Sequence, residues 1–255
     1  MKRFIFLVLV FVLVSDSCQK SNDGNVNIQN DTFTIKSNSI SCTNSKNPYE
    51  YIGELHNEIC EYLINIDDGS PLNLSSTISN IDTYLKTEYD STINFITFFD
   101  DYVSPAFSVQ ALKSLNTLSA AKTYIASISS IQDNKGVNHY LDLMLNALFS
   151  HNSFNLSCYN EMVGIEAGIL LDDTLNNDDK QLLLIGGAIL RHSSFLWDKY
   201  GDEHPAKGLH WSWGNCVTGD LTGAMQAWGF LGVGPWGWVI FGATVACYST
   251  ASALL

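Results

Sequence analysis

The sequence predicts an all-α fold, a multi-helix bundle that carries a glycine-rich apolar helical hairpin in its C-terminal part. Three observations support this prediction. The 255 residues include only 5 prolines, no segment sustains the alternation of apolar and polar residues typical of a strand, and apolar residues recur three or four positions apart in one segment after another. No repeat of fixed period is visible. We therefore expect amphipathic helices that pack against one another around an apolar core.

The N-terminal residues have the pattern of a secretory signal peptide. Two basic residues precede an apolar run over 4–14, and Cys18 follows shortly after it. A membrane-spanning helix needs about 20 apolar residues, roughly twice the length of this run. The segment resembles the lipobox of bacterial lipoproteins, although Ser15 and Asp16 stand where an aliphatic and a small residue are usual. The resemblance implies that residues 1–17 are removed, that Cys18 is lipidated (palmitate is the expected acyl chain), and that the protein is an exported, membrane-anchored lipoprotein of the cell envelope.

Residues 18–46 are predicted to be a flexible tether, and a helical bundle is predicted over 47–200. The tether is rich in polar residues and cannot bury enough apolar surface to offset the entropy lost on ordering. The bundle opens at Asn47, a favoured N-cap, followed by Pro48, which suits the first helical position. The first helix carries an apolar stripe with glutamates off it, and it ends at 67–71. The stripe comprises Tyr49, Ile52, Leu55, Ile59, Tyr62 and Leu63, and the glutamates are Glu50, Glu54, Glu58 and Glu61.

Five further apolar stripes predict the remaining helices of the bundle. Acidic residues at the start of the last one suit the positive end of a helix dipole. The predicted helices run from Ser75 or Ser76 toward Phe98, from Val109 through Leu118 toward Ile131, over 140–148, over 162–170, and from Asp178 to about Trp197.

The composition changes in the C-terminal segment, 201–255. No residue after Asp220 is charged, and glycines and tryptophans recur. Two apolar helices are predicted, over 219–231 and 236–254, with a turn between them. Small residues at close spacing allow two helix backbones to approach closely, as in membrane helix pairs. The candidate residues of this membrane or packing hairpin are Gly219, Gly223, Trp228, Gly234, Pro235, Trp236, Trp238 and Gly242.

Two patterns resemble known sequences. Asp220, Gly223-Ala224, Trp228-Gly229, Gly234-Pro235 and Gly242 resemble the glycine-rich C-terminal segment of small membrane-active bacteriocins and glycine-zipper proteins. Asn47-Pro48-Tyr49 with Gly53-Glu54-Leu55-His56-Asn57 is similar to the opening helix of exported bacterial proteins that have such tails. The resemblance covers a minor part of the chain and implies no enzymatic activity, but it favours contact with a membrane.

Charge and cysteine content narrow the function classes. The formal net charge of −13 repels phosphate backbones, so we expect no nucleic-acid partner. The six cysteines lie at 18, 42, 60, 158, 216 and 247. If Cys18 is lipidated, an odd number remains and one cysteine at least is unpaired. Two alternatives stay open: a disulfide between Cys216 and Cys247, or five buried thiols.

Candidate metal ligands are sparse. His56 and Cys60 lie four residues apart, on one face of the first predicted helix. A zinc site takes four protein ligands, or three and a water, and no second pair at ligand spacing follows. The alternative that we favour is that Cys60 belongs to the core while His56 and Asn57 hydrogen-bond a neighbouring helix. Glu161 and Glu166 lack the Glu-x-x-His pattern of di-iron bundles and predict a solvated or capping face.

No catalytic motif accompanies the histidines and serines near the C-terminal end. The sequence lacks a Gly-x-Ser-x-Gly turn, a P-loop and a dinucleotide fingerprint. The aromatic segment 209–214 fits a sugar platform, a membrane interface or the closure of a core. Gly186 and Gly187 fit a processing site less well than close helix packing. The residues weighed for catalysis are His192, Ser193, Ser194 and Asp198, together with His204, His210 and Ser212.

The sequence therefore predicts a non-enzymatic cell-envelope lipoprotein that acts as a binding or interaction module, with no cofactor or metal. Its expected partners are the membrane, through the lipid anchor, and a protein. The alternative is a membrane-active, bacteriocin-like or toxin-like protein that inserts its C-terminal hairpin into a bilayer. The two hypotheses differ in what covers the apolar surface of 217–255. Burial of that surface gains about 25 cal/mol per Å² in either case, whereas exposure of a large apolar patch to water is disfavoured.

Overall fold

Ten α-helices account for most of the residues that the computed structural model describes, which are 41–66, 73–128, 131–151, 153–203, 213–232, 234 and 236–253. The predicted signal peptide, Cys18 and the tether as far as residue 40 lie outside the described residues, and so does Pro235. The described residues are 79% helical and contain no strand. The prediction of an all-α multi-helix bundle is confirmed.

The helices follow one another along the chain with two irregular connections. A π-helical turn, Phe99–Val103, and a 3₁₀ turn, Ser104–Ala106, follow the third helix, and a second 3₁₀ turn, Trp228–Gly232, follows the ninth. In chain order the helices are α1 (Glu50–Ile66), α2 (Leu74–Glu88), α3 (Phe95–Phe98), α4 (Val109–Lys113), α5 (Leu118–Ala126), α6 (Lys135–Ser150), α7 (Leu156–Leu171), α8 (Asn177–Glu203), α9 (Trp213–Ala227) and α10 (Gly237–Ala253).

Short polar side chains determine where many of these helices begin. In each case a side-chain oxygen accepts a hydrogen bond from the backbone N–H three residues later, which pairs one of the donors that a helix start leaves free. The residues that cap α2 to α7 in this way are Asn73, Asn94, Ser108, Thr117, Asn134 and Asn155. Asn47, the predicted cap of the first helix, lies before α1 and donates to the carbonyl of Leu184 at 2.8 Å.

Two of the predicted helices are shorter than expected. The second, predicted to reach Phe98, ends at Glu88, because Asp90 accepts hydrogen bonds from the backbone and hydroxyl of Thr92, both at 2.8 Å. The third, predicted to continue through Leu118, is divided into α4 and α5, because Thr117 caps a new helix. Both breaks occur where a polar side chain bonds the local backbone in place of the helical ladder.

The core is centred on α8, α9 and α10. Every residue from Leu182 to Ser194 in α8 is buried, and so are most residues of α9 and α10. These two helices pack against each other, α9 also packs against α8, and α10 packs against α1. Gly219 lies close to Ser252 and Gly223 close to Tyr248, so α9 and α10 are antiparallel. The predicted C-terminal hairpin is therefore the central part of the bundle, and its first helix begins at Trp213 instead of residue 219.

The small residues of the hairpin allow close contact between helices. A Cβ added to Gly223 would lie 2.9 Å from Tyr248 Cβ, and one added to Gly242 would lie 2.7 Å from Leu55 Cδ2 of α1. Gly234 has a φ of 65° in the turn, a left-handed conformation that favours glycine. Trp228, Trp236 and Trp238 are half-buried at the end of the hairpin. No helix in the described part of the chain combines the length and the apolar character that crossing a membrane requires.

The last residues of the predicted tether contact the bundle. Asn44 is buried, and its amide donates to Glu166 of α7 at 2.6 Å. The hydroxyl of Tyr159 donates to the carbonyl of Thr43 at 2.8 Å. Part of the predicted tether, residues 41–46, therefore contains polar groups that find specific partners in the bundle.

Candidate functional site

Two clusters of polar side chains, most of them buried, lie along one stretch of α8. The arginine cluster comprises Asn44, Glu50, Glu166, Arg191 and His192. The histidine–aspartate cluster comprises His56, Cys60, Ser193, Trp197, Asp220 and Ser249. Together they connect α1, α7, α8, α9 and α10, the helices that form the centre of the bundle.

Arg191 is the central residue of the arginine cluster. Its fully buried guanidinium donates to Glu166 Oε1 at 2.7 Å and to Glu50 Oε2 at 2.5 Å, and it also donates to the carbonyl of Cys42. Burial opposes the positive charge, but the two carboxylates outweigh it and raise the pKa of Arg191. Burial also acts to raise the pKa of Glu50, but hydrogen bonds from His192 and Arg191 lower it to about 2. A buried arginine that is hydrogen-bonded to two carboxylates is typical of a group that holds helices together.

A thiol, an imidazole and a carboxylate lie in series at the edge of this cluster. Cys42 Sγ lies 3.5 Å from His192 Nδ1, and His192 Nε2 lies 2.6 Å from Glu50 Oε1. This order of groups is found in cysteine nucleophiles, which react as thiolates. Burial, however, raises the pKa of Cys42 to about 11, so the thiol is protonated at neutral pH. We interpret these contacts as ones that hold residues 42–44 against the bundle.

The histidine–aspartate cluster places an imidazole beside a carboxylate in the core. His56 is fully buried, and its Nε2 lies 3.4 Å from Asp220 Oδ1. Its Nδ1 lies 3.0 Å from Asn57 Oδ1, which must accept because the Asn57 amide nitrogen donates to the carbonyl of His192 at 2.8 Å. His56 Nε2 also lies 3.5 Å from the thiol of Cys60, so each ring nitrogen has a polar side chain beside it. Burial acts to lower the pKa of His56, but Cys60 and Asp220 raise it well above its ordinary value.

The other carboxylate oxygen of Asp220, Oδ2, contacts two side chains of α8 in the core. Ser193 Oγ donates to Asp220 Oδ2, and Trp197 Nε1 lies 3.3 Å from the same atom. Trp197 Nε1 also donates to Ser249 of α10 at 3.1 Å. The cluster therefore fixes the α9–α10 hairpin to α1 and α8. We find no arrangement of three His, Cys, Asp or Glu side chains within the described residues that could hold a metal ion.

The remaining candidates from the sequence have varied positions. Glu161 is exposed and lies 3.0 Å from His151, whereas Glu166 is buried against Arg191, so the predicted solvated or capping face is wrong for Glu166. Gly186 and Gly187 are closely packed, and a Cβ on Gly187 would lie 2.6 Å from Glu166 Oε1. Cys216 and Cys247 are free thiols. His204, His210 and Ser212 lie outside the described residues, and Trp213 donates to the carbonyl of Ser194 at 3.0 Å.

Sequence reasoning missed the arginine cluster. The sequence pattern groups His192 with Asp198 and predicts no contact between Glu50 and α8. The available signal was Arg191 itself, which is the only arginine after Arg3 and directly follows the apolar run that ends at Leu190. A guanidinium in such a run requires buried carboxylate partners.

An outer face of the bundle carries five aromatic rings in a continuous series. We call it the aromatic face; it comprises Tyr62, Tyr84, Tyr89, Trp238 and Tyr51, in the order of their contacts. Successive ring centroids lie 4.8, 6.2, 5.9 and 6.0 Å apart. The rings come from α1, the end of α2 and the start of α10. Tyr51 is 47% exposed, and the other four are half-buried, so the series is open to solvent along its length.

Four glutamates border the aromatic face. Glu54, Glu58 and Glu61 are exposed on α1, and Glu88 is exposed at the end of α2. Partial burial, together with the charges of its three neighbours, raises the pKa of Glu58, although the Tyr89 hydroxyl donates to it at 3.4 Å. Lys199 lies 3.9 Å from Glu61. The aromatic face is therefore rich in carboxylates that are only partly neutralised.

A second surface feature is an open groove of about 500 Å³ beside α5. Its lining is mainly hydroxyl-bearing and uncharged: Ser114, Leu115, Thr117, Ser119, Ala120, Thr123, Tyr124 and Ser127. The groove lacks the combination of aromatic rings and charges found on the aromatic face.

Comparisons of the chain with protein-family models, with curated proteins and with solved structures find no match.

Proposed function

We propose that this protein is an exported lipoprotein of the cell envelope, attached to a membrane by an acyl chain on Cys18, and that its helical domain is a non-catalytic binding module. The observation that supports the proposal best is the position of the C-terminal hairpin. The apolar residues of α9 and α10 are covered by α1, α8 and each other. The most apolar segment of the domain is thus covered by the domain's own helices and needs no bilayer to cover it.

The aromatic face supports the binding role. Tyrosine and tryptophan combine a large apolar contact area with a polar group, and they are enriched where proteins bind partners. In this protein five such rings lie together on one surface instead of being enclosed in the core. The membrane-active alternative would require α9 and α10 to leave α1 and α8 and to break the contacts of Asp220 with Ser193 and Trp197.

The test combines location with membrane activity. Cells that express the full chain or Cys18→Ser are fractionated, and a chain that begins at Gln19 is mixed with dye-loaded vesicles of zwitterionic and anionic lipids. We expect the full chain in the membrane fraction, the Cys18→Ser protein in the soluble fraction, and no dye release. An unchanged location of Cys18→Ser would contradict the lipid anchor, and dye release that depends on 215–255 would replace the binding role with the membrane-active one.

A further inference from the structure

We infer that the aromatic face binds a cationic peptide, with arginine or lysine side chains at alternate positions of an extended segment. The inference rests on the proposed binding role and names the chemistry of the partner. It depends on three features of the face: the series of rings, the spacing of the glutamates and a surplus of carboxylates that the nearby Lys199 neutralises only in part.

The rings suit cations better than flat uncharged ligands. Tyr51, Trp238 and Tyr89 meet edge to face, with interplanar angles of 75° and 83°, so they do not form one flat platform on which a sugar could stack. Rings turned in different directions instead offer separate π faces and edges at short intervals. An arginine or lysine side chain is attracted to the face of an aromatic ring, and tryptophan gives the strongest attraction.

The glutamates supply the charge complement. Glu54 and Glu58 are four residues apart on α1, which corresponds to a rise of about 6 Å along the helix. Side chains at positions i and i+2 of an extended peptide point the same way and are separated by about 6.6 Å. Alternate cationic side chains of such a peptide can therefore meet successive carboxylates while their stems lie on the rings of Tyr51 and Trp238.

The crowding of carboxylates gives a cation a specific effect. Glu54, Glu61 and Glu88 all act against the negative charge of Glu58, and a bound guanidinium would relieve this repulsion. An uncharged oligosaccharide would leave it in place. The segment 18–40 is a poor occupant, because its two lysines, Lys20 and Lys36, are balanced by two aspartates. A second copy is equally poor, because each chain has a net charge of −13 and like charges repel.

Binding is measured by fluorescence anisotropy with a labelled (Arg-Thr)₃ peptide and the full chain in nonionic detergent. The variants are Trp238→Ala, Tyr51→Ala and Glu58→Gln. Tyr102→Ala is the control for the rings, because Tyr102 is 63% exposed and stacks on Phe98 instead of the aromatic face. Asp133→Asn is the control for net charge, because Asp133 is exposed in a turn. Circular dichroism establishes that each variant is folded.

We expect saturable binding that weakens as salt rises from 20 to 500 mM. Trp238→Ala, Tyr51→Ala and Glu58→Gln should each weaken it by about threefold to tenfold, while the two controls leave it unchanged. Equal effects of the variants and controls, or equal binding of (Glu-Thr)₃ or of a neutral oligosaccharide, would overturn the inference. If the peptide fails to bind while Cys18→Ser still leaves the membrane fraction and vesicles stay intact, the cationic partner is wrong and the proposed function stands.

Discussion

Glu50 joins the N-terminal end of α1 to α8 through two different side chains, Arg191 and His192. Its carboxylate lies 2.5 Å from Arg191 and 2.6 Å from His192, and it accepts a hydrogen bond from the backbone of Asn44 at 3.1 Å. The proton therefore binds Glu50 less readily in the folded chain than in the unfolded one, where the pKa is near 4.5.

We predict that this carboxylate contributes to acid unfolding. Because the pKa of Glu50 is lowered to about 2 in the fold, its contribution to stability is complete above about pH 4.5 and is lost as the pH falls toward 2. In urea unfolding at a series of pH values, Glu50→Gln should be less stable than the wild type at pH 7, and the difference should shrink toward pH 2. The exposed Glu54→Gln is the control. A constant difference across this pH range would contradict the prediction.

At the residue scale, the sequence predicts which side chains are buried better than it predicts which polar side chains pair with each other. It predicts that Cys60 is core and that Asn57 bonds a neighbouring helix, and the structure has both features. It misassigns Glu166, since helical periodicity cannot distinguish a solvated glutamate from one that is buried opposite an arginine 25 residues later. Such pairings are set by tertiary packing, which local patterns do not contain.

Among the helices, α9 and α10 owe their close contact to glycine. We predict that Gly223→Ala destabilises the protein by about 1–3 kcal/mol, because the new methyl group would press on Tyr248 in a filled core. Gly164→Ala in α7 is the matched control: nothing lies within 4 Å of the added Cβ, so the better helix propensity of alanine should stabilise by up to about 1 kcal/mol. Thermal unfolding measures both, and a Gly223→Ala protein as stable as Gly164→Ala would contradict the packing argument.

The helices themselves were largely predictable, and their interruptions were not. Apolar stripes locate α1, α6 and α7, since each has one face on the core, and a continuous apolar run locates α8, which is buried at every position over 182–194. The breaks near Asp90 and Thr117 escaped prediction because the apolar spacing continues across them, while the side chains there bond the backbone locally. A polar cap stabilises a new helix start by about 1 kcal/mol. The periodicity of apolar residues contains no information about this contribution.

At the scale of the molecule, the described helices belong to one compact unit. We predict that a chain ending at Gly214 does not fold, because α1 and α8 would lose their buried partners in α9 and α10 and leave His56 without Asp220. Circular dichroism and size-exclusion chromatography compare it with the chain that continues to Leu255, both beginning at Gln19. A truncated chain that remains a folded monomer would show that the hairpin is separable and would revive its role as a membrane device.

The contact between Leu55 and Gly242 also sets an order of events in time. The ribosome delivers α1 long before α10, yet α1 has no complete apolar partner until α10 has been synthesised. The early helices therefore cannot form their final core during synthesis. The core can form only when both α1 and α10 have been synthesised. The chain therefore remains without its native core until most of it has been synthesised, and a nascent chain that stops before α10 exposes the apolar face of α1 to solvent.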